Sequence, residues 1–340
     1  MAQKVIHITD LYHPHADPDD HYDLAQLFAL AKTGDIELTQ VMIDHLDRPQ
    51  FRGSPAIFAI YQLNHLTGKN VHVTLGANTH TFVGKPELWK DAPVSEVYAA
   101  EKIIEILKNS DEKVYISIVG GCLDTAIALE RAPEVFKEKC AGIVLNAGSA
   151  QQKVDRQEYN VALGRTEYSR IFKAPCPVYW NPCLNAGDSA DTESFRGQNA
   201  TYYHFLQKEV FSTASDGLVN FFLYMLTRSQ STEFLKVLEG KPEAELVEKF
   251  GNLYRNMWCT ACIFDMAGKT VTMDGDIVKA GSTDKPVFEY KPISVICDDN
   301  GMTKWEFTDS SEDRFIFHLN DQAKYETAMT RALVTILKEI

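Results

Sequence analysis

The chain has 340 residues and a formal net charge of −13, enough length to bury a large core. That charge excludes a nucleic-acid backbone or an anionic membrane as partner, because either would repel such a surface and no run of clustered Lys and Arg offers a local basic patch. The seven cysteines, Cys122, Cys140, Cys176, Cys183, Cys259, Cys262 and Cys297, are an odd set scattered through apolar segments, which fits reduced thiols rather than a secreted disulfide framework. Cys259 and Cys262 alone have metal or redox spacing, and with no second pair and no nearby His they read as thiols buried on a helix.

A first strand starting at Lys4 leaves no room for a signal peptide, and no apolar run reaches the ~20 residues that span a bilayer. A cytoplasmic protein without a membrane partner is expected. Val5-Ile6-His7-Ile8 forms that first strand, followed by a helix with Leu24, Leu27, Phe28 and Ala31 on one face. The alternation repeats: a strand over Leu38 to Ile43 and a helix over Ser54 to Leu66; Val71 to Leu75 and Ser95 to Leu107; Val114 to Val119 and Thr125 to Leu129. Strands at Ile143 to Leu145 and Pro177 to Trp180 continue it.

These β-α units predict an α/β fold, an open and mostly parallel Rossmann-like sheet with helices on both faces and right-handed crossovers. From about Tyr202 the pattern turns to helices, Leu218 to Leu226 and Glu243 to Trp258, then to β-rich stretches at Ile293 to Cys297 and Phe315 to His318. A last helix runs from Gln322 to Ile340 with Met329, Leu333 and Ile336 on one face. One domain over 1–340 is expected, with the sheet core in 1–200 and the helical and β-rich addition of 201–340 closing the site.

In such a sheet, ligands sit outside the carboxyl ends of the strands. The first strand ends at Asp10, and the tract that follows carries His13, His15, Asp17, Asp19 and Asp20. So many acids in one turn are unfavourable unless a cation or well-placed donors answer them. Asp17 can cap the next helix, with Pro18 at its first position and Asp19 and Asp20 as its acidic first turn. That accounts for three acids and leaves Asp10 unexplained. A hard cation with several oxygen ligands is the natural answer, and Ca²⁺ tolerates an irregular loop. A rival reading takes His13, His15 and Asp17 as the H-x-H-x-D of a dinuclear-metal hydrolase. Such a site needs further imidazoles, which the later strand ends, Gly120-Gly121, Asn146-Ala147-Gly148 and Asn181-Pro182, do not supply.

At these residues the sequence resembles the nucleoside hydrolase family of inosine-uridine type, in particular a divergent branch with an insertion in the first acidic motif. The family strand ends in D-x-D and is followed by P-G-x-D-D. Here Asp10 closes the strand, Asp19-Asp20 opens the helix, Leu11 to Pro18 replaces a shorter turn, and Ile8 stands where the family has its first Asp. Val119 to Leu129 is similar to the family's T-G-P-L-T-N-L-A-x-A-L, Ile143 to Gly148 to V-V-x-M-G-G, and Glu158 to Leu163 to the start of E-F-N-x-x-x-D-P-E-A-A, with Gly164-Arg165 in place of D-P.

The resemblance implies hydrolysis of an N-glycosidic bond in a ribonucleoside or related N-riboside, a Ca²⁺ cofactor, and a homo-oligomer. It implies Asp10 as general base, with Asp10, Asp20 and the backbone carbonyl of Leu123 on the metal and Asp17 as a compensating ligand. Asp19, Glu158 and Asn160 would then hold the ribose. His45 and Trp258 are candidates to contact the substrate. The family's late metal-binding Asp has no counterpart in Asn256 to Ala261, and Asp265 lies about two turns farther along the helix expected there. A non-catalytic sugar- or nucleoside-binding relative of the same fold is therefore the alternative, and convergence of Asp10, Asp19 and Asp20 on one cation discriminates between the two.

Overall fold

A computed structural model describes residues 2–14, 18–45, 54–151, 157–186, 192–259, 262–283 and 285–340. Asp17 and His15 lie outside the described residues. Strand β1 (Gln3–Thr9) leads into helix α1 (Asp19–Thr33), strand β2 (Ile36–His45), helix α2 (Ile57–Thr67) and strand β3 (His72–Asn78). Helix α3 (Tyr98–Asn109), strand β4 (Val114–Ile118), helix α4 (Leu123–Arg131), strand β5 (Cys140–Asn146), the short helix α5 (Tyr159–Leu163) and strand β6 (Val178–Asn181) follow. The later part adds helix α6 (Asp216–Leu226), helix α7 (Ala244–Gly251), strands β7 (Phe288–Cys297), β8 (Thr303–Phe307) and β9 (Arg314–Leu319), and helix α8 (Gln322–Leu337).

These nine strands form one sheet in the order β8-β7-β9-β6-β5-β4-β1-β2-β3. From β9 to β3 neighbouring strands run parallel, whereas β7 pairs antiparallel with both β9 and β8. The six sequence-predicted parallel strands are present, and the β-rich part of the C-terminal addition joins the sheet at its edge and widens it.

Both faces of the sheet are covered, as parallel sheets require. Val5 packs in one apolar cluster with α1, α2, α6 and α8, while Ile6 and Ile8 pack in a second with α3 and α4. Strand alternation thus sends successive residues of β1 into different cores. Helix α1 is buried on nearly every side, from Asp19 to Ala31, so its apolar stripe understates how enclosed it is. It stops at Gly34, whose φ of 81° places it in the left-handed region while its N–H caps the carbonyls of Leu30 and Ala31.

One element differs from the sequence expectation. The helix expected over Glu243 to Trp258 ends at Gly251, and Tyr254–Met257 is instead a strand, antiparallel to Tyr203–Leu206. Gly251-Asn252 is a weak helical pair, and the strand is held by a partner distant in sequence that helical periodicity does not reveal. Asp265 is consequently not farther along one helix. It lies on a separate turn, Ile263–Met266, where desolvation holds its carboxyl well above the ordinary range.

Candidate active site

The chain leaves β1 to build β2 and β3 on one side of it, then returns to build β4, β5 and β6 on the other. That reversal is the switch point where open α/β sheets bind ligands. Thr9 is level with Ile43 of β2, Ile8 with Ile118 of β4, and Asn146 of β5 with Asn181 of β6. The carboxyl edge therefore presents, in a row, Asn181, Asn146, Val119-Gly120, Asp10 and Asp44.

Close packing at this edge demands glycine. A Cβ on Gly120 would lie 2.6 Å from the Asp10 nitrogen and 2.7 Å from Asp44 Oδ2. With no side chain there, Asp44 turns inward and accepts the Gly121 N–H at 2.5 Å. Asp44 is held well above the usual carboxylate range by burial first and then by the charge of Asp10, against the lowering effect of Gly121 N–H. Asp124, in the first turn of α4, accepts the Ala77 N–H at 3.0 Å and is raised to about 6 by burial.

On the α1 side, Thr9 Oγ1 donates to Asp20 Oδ2 at 2.8 Å. Burial raises Asp20 well above its ordinary range, and the charges of Asp10, Asp19 and Asp23 raise it further, as does a hydrogen bond with the Asp10 carboxyl. Two carboxyls in hydrogen-bond contact need a proton between them or a cation in its place. Asp19, Asp20 and Asp23 are all buried, and a ligand atom from each, with the sulfur of Cys259, lies within 4.8 Å of the others.

Glu158 caps α5. Its carboxylate accepts N–H groups from Gly148 at 2.7 Å, Asn160 at 2.9 Å and Val161 at 3.2 Å. Burial nonetheless pushes it up to about 7, those three donors opposing the rise and the charge of Asp10 adding to it. Asn160 Nδ2 donates to the carbonyls of Val119 at 2.8 Å and Asn146 at 3.2 Å, tying the ends of β4 and β5 together. Among the described residues, the donors to Asp20, Asp44, Asp124 and Glu158 are thus one hydroxyl, the Asp10 carboxyl and backbone amides rather than lysine or arginine.

A scan of protein-family models finds no match, and a search of the curated proteins finds none. Solved structures do match along nearly the whole chain. An inosine-uridine preferring nucleoside hydrolase from Bacillus anthracis is similar with a TM-score of 0.52 and 16% identity, covering 99% of this chain and 100% of its own. A plant nucleoside hydrolase gives a TM-score of 0.55 at 13% identity, over 98% of this chain and 99% of its own. The type III effector protein XopQ, complexed with adenosine diphosphate ribose, gives 0.53 at 13% identity, over 99% and 94%. The chain has the nucleoside hydrolase fold.

Within this fold, Asp10, Asp19, Asp20, Glu158 and Asn160 from the sequence expectation gather at the switch point. Leu123 opens α4 and lines a small cavity beside Asp44, His45 and Asp124, of about 10 Å³, room for roughly one water. His45, the last residue of β2, thus shares this cavity with Asp44 and Asp124. Trp258 packs on Tyr202, ring centroids 4.6 Å apart, and on Phe195 at 5.1 Å, directly before Cys259 in the chain. His13 is committed elsewhere: its Nε2 meets the Ser229 carbonyl at 2.6 Å and its ring packs against Phe58 and Tyr224.

Asp23, Asp44 and Asp124 were missed in the sequence. Asp23 had a signal, standing four residues after Asp19 and three after Asp20 on one helical face. Asp44 ends a strand, which marks it only once the strand order is known. No helix among the described residues is long and apolar enough to cross a membrane.

Proposed function

We propose that this protein hydrolyses the N-glycosidic bond of a ribonucleoside or a related N-riboside. The observation that carries this is the gathering of Asp10, Asp19, Asp20, Asp23 and Glu158, at the switch point of a nucleoside hydrolase fold, with Asp10 and Asp20 in hydrogen-bond contact. Buried carboxylates so close fit a hard divalent cation, and Ca²⁺, which takes about 6–8 oxygens, suits the donor set. Asp10 and Asp20 would hold it, with Asp19 and Asp23 beside them; Asp17 and the Leu123 carbonyl remain as further ligands of the proposal. When bound, the cation orders sugar hydroxyls and a water and makes that water more acidic.

The chain's own groups perform the rest. Asp10 takes the proton of the attacking water, a role that typically contributes roughly 10²–10⁴-fold. Positive charge grows on the sugar as the C–N bond breaks, and the surrounding carboxylates favour it over the neutral ground state. Asp19 accepts from a ribose hydroxyl. Glu158, with three acceptor positions already filled by backbone, has about one lone pair left for a second hydroxyl, and Asn160 holds the ends of β4 and β5 in place beneath the sugar. Trp258 and Tyr202 offer an aromatic face to the departing base, and His45 stands beside Asp44 at the end of β2.

A screen of purine and pyrimidine nucleosides for released reducing sugar, with Ca²⁺ or with chelator, tests the proposal. Release that depends on Ca²⁺ and is lost in Asp10→Ala supports it; no release from any nucleoside sinks it. The structural likeness to an effector protein crystallised with adenosine diphosphate ribose favours one second reading, in which the site binds an N-riboside without cleaving it. Tight binding of that ligand with no sugar released selects this reading.

A further inference from the structure

The asparagines of the carboxyl edge are not alike. Asn181 is spent: its Oδ1 accepts the Tyr290 hydroxyl at 2.7 Å and its Nδ2 donates to the Tyr179 carbonyl at 2.8 Å. Asn160 Nδ2 gives its hydrogens to the carbonyls of Val119 and Asn146. Asn146 differs. Its side chain is fully buried and its Oδ1 accepts the Cys262 thiol at 2.8 Å, yet among the described residues its Nδ2 meets no acceptor. A thiol has one hydrogen, and the Asn146 oxygen is the nearer of its acceptors, the Cys259 carbonyl lying at 3.0 Å. The amide is therefore held by its oxygen, with the nitrogen left open.

A buried amide nitrogen left unanswered is costly, and native proteins keep few of them without a role. This one stands within the site. Asn146 closes β5 level with Asn181, and its carbonyl is tied to Asn160, two residues after Glu158. Through Cys262 it reaches Cys259, whose sulfur lies within 4.8 Å of ligand atoms of Asp19, Asp20 and Asp23. Asn146 thus links the Glu158 side of the site to its α1 side. Carboxylates take the hydrogen of a sugar hydroxyl and leave its oxygen unanswered, whereas a hydroxyl is donor and acceptor at once. A site lined by carboxylates needs an unspent donor, and the Asn146 amide is one.

We propose that Asn146, rather than Asn160, supplies the side-chain amide that recognises the sugar: Nδ2 donates to the oxygen of a hydroxyl whose own hydrogen goes to Glu158. The inference rests on the N-riboside reading above and adds the residue that selects a hydroxyl-bearing sugar. Cys262 is a positioning residue, aiming the amide through its oxygen.

Adenosine and uridine, each with its 2′-, 3′- and 5′-deoxy derivatives, are compared in the full unaltered chain and in Asn146→Leu, by turnover and by calorimetric affinity. For the parent nucleosides KM, or Kd, should rise by about tenfold with kcat little changed, since the bond is made in ground and transition state alike. The derivative lacking the bound hydroxyl should lose nothing further, because neither side then has a partner to lose. The same pattern, smaller, is expected in Cys262→Ala, which keeps Asn146 and decides the matter where Asn146→Leu fails to fold. No loss, or an equal loss on the parent and on every deoxy derivative, overturns the proposal. The affinities separate it from the hydrolase: nucleosides bound more weakly by Asn146→Leu but cleaved by neither protein sink the hydrolase and keep the amide. Cleavage that Asn146→Leu leaves unimpaired does the reverse, and nucleosides neither bound nor cleaved end both.

Discussion

Thr9 Oγ1 donates to Asp20 Oδ2 at 2.8 Å, joining the last residue of β1 to the first turn of α1. The bond aims one carboxylate oxygen across the tract between them. Thr9→Val keeps the shape and removes the donor. Outer partners of metal-holding groups typically contribute 10–100-fold in affinity, so Ca²⁺ binding followed by calorimetry should weaken by about tenfold while the far-UV circular dichroism is unchanged. Equal affinity in the two proteins would show that Asp20 does not serve the ion.

Asp10→Asn removes the proposed base and one negative charge from a crowded group. Turnover should drop by about 10²–10⁴-fold. Thermal stability in chelator should rise, since Asp10 raises the cost of ionising Asp20, Asp44 and Glu158. A variant that loses activity and stability together would point to a structural role instead.

Glu158 supplies a pH dependence with a definite sign. Its folded-state value is raised from 4.5 to about 7, so the folded chain holds a proton that the unfolded chain has released. Stability from this group is full below about pH 4.5 and is lost as pH rises to about 7, flat beyond. The size is on the order of 3 kcal/mol. Urea unfolding in chelator at a series of pH values should show the decline, and Glu158→Gln should flatten it. Gln turns an NH₂ toward one of the three backbone donors, so the variant also weakens the α5 cap; only the slope is diagnostic.

Gly120→Ala should be costly. Its methyl would lie 2.6 Å from the Asp10 nitrogen and 2.9 Å from the Thr9 carbonyl carbon, backbone that cannot swing aside. Overpacking of this kind typically costs about 1–3 kcal/mol, and the displaced β1 end should lower kcat as well. Chemical unfolding and turnover measured on the same sample check both effects; wild-type values in each would show that the switch point is looser than its geometry.

The sequence by itself determined the alternation of strands and helices, because period-2 and period-3.6 patterns report burial locally. It also marked Asp10, Asp19 and Asp20, since acids packed into one turn after a strand are conspicuous without any knowledge of the fold. Glu158 and Asn160 became legible through a family resemblance, not through spacing. Only the tertiary structure decided the remainder. Asp44 and Asp124 enter the site because β2 and β4 flank β1, an order that no local pattern encodes. Cys259, which follows the strand Tyr254–Met257, comes within 4.8 Å of Asp19, Asp20 and Asp23, far away in the chain, only through the fold. Helical periodicity misassigned that last strand for the same reason: its hydrogen bonds go to Tyr203–Leu206, and a strand's stability resides in its partner rather than in its own residues.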